Sequence, residues 1–141
     1  MQIPLPSWLQ TPAQRSAFAW TLLRLLLAGL LAAHGWARFI SGGVVPFGEW
    51  LSTQGFAPGL LIAAAITLFE IVGTLLLAVG IWVFPLSLVY SFIYAMGIIL
   101  VHAPVGWFVV GLGRNGAEYS VLLIVCLLCV GLQDVSARKS N

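Results

Sequence analysis

Four apolar runs, at about 18–40, 58–80, 85–103 and 117–134, decide what this chain can fold into. Each is close to the ~20 residues that a helix needs to cross the hydrocarbon core of a bilayer. In lipid every backbone N–H and C=O must be satisfied within the segment, which makes the runs helices rather than open strands. Charge confirms the solvent. Of the 141 residues 61% are hydrophobic and 7% charged, where a soluble domain carries about 25% charged residues. Mean hydropathy is +1.07. The expected fold is an all-α, four-helix transmembrane bundle forming a single domain over residues 1–141. A net charge of +2, thinly scattered, gives no basic face for nucleic acid.

Punctuation along the chain supports these limits. Pro58 introduces the second helix and Gly80 closes it, while Pro85 suits the first turn of the third, where its missing N–H costs little. Residues 41–57 contain PFGEWLSTQG, read as a short interfacial helix ending at Gly55 and laid over the mouth of the bundle. The Gly-rich stretch 104–116 reads as a tight, partly buried return. The first twelve residues are expected to rest on the membrane surface through Ile3, Leu5, Trp8 and Leu9. Met1 to Gln14 contains no Lys or Arg and lacks the layout of a cleaved signal peptide.

Four crossings place both termini on one side. Arg15, Arg138 and Lys139 flank the helices there, whereas Arg38 and Arg114 on the other side are offset by Glu49 and Glu118. The positive-inside rule then puts both termini in the cytoplasm. Trp20 and Trp82 fall at that interface and Trp36 and Trp107 at the opposite one, as an aromatic belt requires.

The few polar residues inside the runs carry the functional signal. His34 and Arg38 are an i,i+4 pair on one helix face. Arg24 lies near the same face and can snorkel to the cytoplasmic interface. Glu70 sits near the bilayer midplane, flanked by Thr67, Gly73 and Thr74. Ser87, Tyr90, Ser91 and Tyr94 share a face of the third helix, with His102 at its outer end. Glu118 and Tyr119 open the fourth. A charge at the bilayer centre costs at least ~2.5–3.5 kcal/mol on insertion scales, so these stripes should converge inside the bundle. His34, Arg38, His102, Arg114, Glu118 and Tyr119 belong to the outer third, with Glu70 and Tyr94 at mid-depth. Gly29, Ala33 and Ala37 form a small-residue ridge suited to close helix approach.

These residues also carry a likeness. HGWARF on the first helix, FEIVGTLLLAVG on the second, YAMGIILVH on the third and GAEYSVLLI on the fourth resemble the DoxX family of small four-helix membrane proteins, over roughly 18–134. The family pattern falls on His34, Gly35, Arg38, Glu70, Gly73, Met96, His102, Glu118 and Tyr119. Arg38 stands where many members have Lys, which keeps the charge and alters its geometry. The resemblance implies a multi-pass protein of the bacterial inner membrane, associated with quinone-linked sulfur oxidation and oxidative-stress complexes.

Three functional readings follow. In the first the chain is a quinone-interacting oxidoreductase subunit. His34, Arg38 and His102 bind a quinone oxygen, Glu70 and Glu118 relay protons, and Tyr94 stacks or donates. Tyr119, Arg114 and Met96 complete the cofactor-binding set. In the second it is a non-catalytic adaptor, working through its outer loops and the Gly29, Ala33, Ala37 ridge beside a redox partner protein or a second copy of itself. The third, proton or small-solute transport, is harder to build from four short helices. The sequence has no GxGxxG and no haem-attachment signature, so a cofactor would come from a partner or from membrane lipid. No short-spaced ligand motif marks a metal site among His34, His102, Glu70 and Glu118. Cys126 and Cys129 lie mid-helix in apolar surroundings and read as buried small hydrophobes rather than a redox pair.

Overall fold

The computed structural model describes residues 6–110 and 115–139. They form four membrane-length helices and one short helix: α1 Pro12–Ile40, α2 Val44–Thr53, α3 Gly59–Val79, α4 Val83–His102 and α5 Glu118–Lys139. Among the described residues there is no strand. α1, α3, α4 and α5 are each long and apolar enough to cross a membrane, so this is an integral membrane bundle.

α1 begins six residues earlier than hydropathy suggests. Thr11 accepts from the Gln14 N–H at 3.2 Å, and the Gln14 side chain accepts from the Thr11 N–H at 3.0 Å. This capping box, with Pro12 at the first helical position, starts the helix in a polar stretch that hydropathy does not register. Arg15 then reaches back to the Leu9 and Gln10 carbonyls, and Trp8 packs edge-on against Phe18 at 5.1 Å. The leading segment therefore folds onto the start of α1. Ile3 and Leu5 lie outside the described residues.

α2 is the short helix foreseen in the first loop, starting at Val44 and followed by Gly55 in the left-handed region (φ 89°). It sits against the start of α3 with almost no spacing. A Cβ on Gly48 would stand 2.6 Å from the Leu60 Cα, and one on Gly59 would meet the Gly48 carbonyl. α4 packs chiefly on α5, and α1 packs between α3 and α5. The core of Leu27, Leu31, Leu77, Val83, Leu86, Tyr90, Leu123 and Leu127 fills the half of the bundle nearer the termini.

Three other expectations are corrected or refined. The close approach of α1 to a neighbour occurs at Gly35, where an added Cβ would lie 2.7 Å from the Glu70 Cβ. Gly29, Ala33 and Ala37 are exposed, and no helix among the described residues covers them. The return after α4 is exposed from Ala103 to Val110, and burial in it falls at Gly116, packed against the Trp107 and Phe108 carbonyls. Of the cysteines, Cys126 is half-buried against the core but Cys129 faces outward.

Two turns of the membrane helices are widened to π geometry, Phe69–Gly73 in α3 and Ile98–His102 at the end of α4. A π turn displaces backbone hydrogen bonds and is found mostly at functional sites. In α3 the affected carbonyls are met locally. Tyr90 donates to the Phe69 carbonyl at 2.9 Å, and Thr74 donates to those of Glu70 and Ile71 at 2.7 and 2.9 Å. Gly73 makes room for the phenol, since a Cβ there would lie 2.7 Å from the Tyr90 oxygen. Tyr90→Phe is expected to leave that carbonyl unpaired and cost about 1–2 kcal/mol, read as a lower unfolding midpoint in detergent.

Candidate functional site

The widened turn of α3 presents Glu70 to α1. Arg38 Nη1 donates to the Glu70 carboxylate at 2.6 Å and to the Thr67 hydroxyl at 3.1 Å. The Glu70 side chain is 3% exposed and that of Arg38 20%, so the pair is withdrawn from the surface. A charge-assisted bond of this length is strong, and a carboxylate at this depth requires such a partner. The Phe47 ring of α2 lies 4.6 Å from the guanidinium carbon and adds a cation–π contact, itself stacked on Trp50 at 6.0 Å. Helices α1, α2 and α3 thus hold one cation from three directions. Both bonds use Nη1, which leaves Nη2 and Nε as donors.

Beside the pair is a cavity of about 390 Å³. His34 and Arg38 line it from α1, Phe47 and Trp50 from α2, and Ile66 and Glu70 from α3. Tyr94, Met96 and His102 line it from α4, and Ser120 from α5. Its wall is mostly apolar, with a few polar groups contributed by α1, α3, α4 and α5. Phe92, which also lines it, is 67% exposed near the middle of α4, so the cavity opens onto a membrane-facing surface. His34 meets Tyr94 edge-to-face at 6.2 Å. His102 Nδ1 lies 2.6 Å from the Asn115 carbonyl. A carbonyl only accepts, so Nδ1 carries the hydrogen, and in the neutral ring Nε2 is the acceptor.

The structure therefore gathers His34, Arg38, Glu70, Tyr94, Met96 and His102 around one space and places Glu118 and Tyr119 outside its lining. Glu118 accepts from the Val109 N–H at 3.0 Å and its own N–H donates to the Trp107 carbonyl, so it ties the return loop to the start of α5. Arg114 lies outside the described residues. Among the lining residues not singled out from sequence are Phe47, Trp50 and Ser120. The first two were recoverable, because Phe47, Trp50 and Leu51 follow the i, i+3, i+4 spacing of a helix face turned inward. Ser120 has no comparable signal. Among the described residues no three His, Cys, Asp or Glu side chains come together as a metal-ligand group.

A membrane bundle with an Arg–Glu pair at mid-depth, covered by a short helix and bordered by two histidines, defines a small polytopic membrane protein with one buried polar centre. The chain belongs to the DoxX family, whose pattern matches residues 19–103. That match spans α1 to α4 and contains His34, Arg38, Glu70 and His102, while α5 lies beyond it. No curated protein and no solved structure matches the chain.

Proposed function

We propose that the cavity takes the head group of a membrane quinone and that the protein is the quinone-facing component of a redox system. The observation that supports this most directly is the form of the cavity. It opens toward the membrane, and its largely apolar lining carries a few hydrogen-bonding groups. Its volume lies in the range of about 300–1,000 Å³ typical of small-molecule sites. Remaining Arg38 donors suit one quinone oxygen. His102 Nε2 suits the hydroxyl of the reduced form. Tyr94 and the edge of His34 offer the ring an aromatic contact. A bound quinone supplies two-electron, two-proton carrier chemistry. Glu70 balances the Arg38 charge and can accept or return a proton beside it. With Arg15, Arg138 and Lys139 at the terminal side, both termini are assigned to the cytoplasm, in a bacterial inner membrane.

The test is binding of a short-chain quinone to protein in lipid nanodiscs. Arg38→Ala removes a charged donor and is expected to weaken affinity by roughly 10–100-fold. His102→Ala is expected to weaken the reduced form more than the oxidised one. The adaptor reading draws on the exposed return loop, where Trp107 and Phe108 are about half exposed and Val110 is 80% exposed. A folded wild-type protein that binds no quinone in this assay would favour it.

A further inference from the structure

Several helix hydroxyls in this protein are satisfied by their own helix. Ser52, Thr67, Thr74 and Ser136 each donate to the carbonyl four residues back. Ser87 and Ser91 do not, and their oxygens are buried with no partner. Ser87 is 1% exposed and Ser91 9%. The one further buried polar side-chain atom without a partner among the described residues is Arg24 Nε. Orphaned buried hydroxyls are rare in folded proteins, and ordered water is the usual reason for those that occur.

The two serines lie on the face of α4 between two cavities. A second cavity, of about 210 Å³, occupies the terminal side of the bundle and is lined by Arg24 and Val83 among others. Ser87 is one turn beyond Val83 on the same face of α4, and Ser91 is one turn beyond Ser87. Tyr94, which lines the quinone-sized cavity, is three residues further. Residues four apart on a helix rise by about 6 Å. A water bonded to both hydroxyls at about 2.8 Å each spans nearly that distance. Ser87 also packs closely against Gly131 of α5. A Cβ on Gly131 would lie 3.1 Å from the Ser87 Cβ and 3.3 Å from its oxygen, so an alanine there would crowd that hydroxyl.

We propose that Ser87 and Ser91 hold a short file of waters that joins the two cavities and lets protons pass between the terminal face and the Glu70 centre. Each transfer moves a proton from one water or hydroxyl to the next and leaves every group in its starting protonation state. The use of the file rests on the quinone reading, while its existence does not.

The experiment is water-edited solid-state NMR on the full chain in lipid bilayers, with serine and alanine labelled. Magnetisation from water is expected to reach Ser87 and Ser91 several-fold faster than Ala65, an outward-facing residue of α3. The rate should approach that at Ser41, which is exposed beyond the end of α1. Gly131→Ala is expected to suppress the transfer at Ser87 and leave Ser41 unchanged. Build-up at Ser87 and Ser91 as slow as at Ala65 would overturn the proposal, and so would a Ser87 signal indifferent to Gly131→Ala. The readout needs no quinone, so a dry file and a vacant quinone site are separate results.

Discussion

Glu70→Ala is expected to destabilise the protein by about 3 kcal/mol, and Glu49→Ala by no more than about 0.5 kcal/mol. The two carboxylates differ in what their loss leaves behind. Glu49 is exposed on α2, and its removal strands nothing. Glu70 is 2% exposed and holds Arg38, so its removal leaves a guanidinium in the bundle with only Thr67 and the Phe47 face. Breaking a buried pair from one side costs about 3–5 kcal/mol. The lower end applies because Arg38 is two residues from the helix end and can withdraw toward the interface. Denaturation midpoints in mixed micelles measure the difference. Equal shifts for the two variants would show that the pair does not hold the bundle together.

The paired substitution separates structure from function. Replacing both members with apolar residues of similar size removes the desolvation cost together with the attraction, and such exchanges are often neutral. Arg38→Met with Glu70→Leu is expected to recover most of the stability lost in Glu70→Ala and still bind no quinone. A double variant that binds normally would mean that the pair serves only to set the helix register.

The bundle was legible because lipid leaves a chain few choices. Run length, proline placement and charge asymmetry fixed four helices to within a few residues at most ends. The largest miss, the start of α1, came from weighing hydropathy above the Thr11–Gln14 capping signature, although both were present in the sequence. The polar centre was legible in part. Depth along the helices put Glu70 within reach of Arg38, but depth alone cannot distinguish Glu118 from Ser120, which differ by about half a turn around the helix. That rotation is set by how α5 packs on α4 and α1, a long-range outcome with no local pattern. The π turns are invisible for a related reason. They depend on partners such as Tyr90, twenty-one residues away in the chain.

Gly35 decides whether the centre can form at all. An added Cβ would lie 2.7 Å from the Glu70 Cβ, 3.1 Å from Ile71 Cγ1 and 3.2 Å from the Glu70 carbonyl carbon. Two of these are backbone or backbone-anchored atoms, which a rotamer change cannot move aside. Gly35→Ala must therefore push α1 away from α3, and overpacking of this kind costs about 1–3 kcal/mol despite the better helix propensity of alanine. The displacement falls one turn from Arg38, so it also lengthens the 2.6 Å bond to Glu70. Gly29→Ala is the matched control, because nothing lies within 4 Å of its added carbon. It is expected to be neutral or to stabilise by up to about 1 kcal/mol. The pair of variants places the same methyl group on the same helix, so propensity cancels between them. A Gly35→Ala protein as stable as Gly29→Ala, with unaltered quinone affinity, would show that α1 does not need to approach α3 this closely. Loss of affinity larger than the loss of stability would instead tie the spacing of these two helices directly to the binding site.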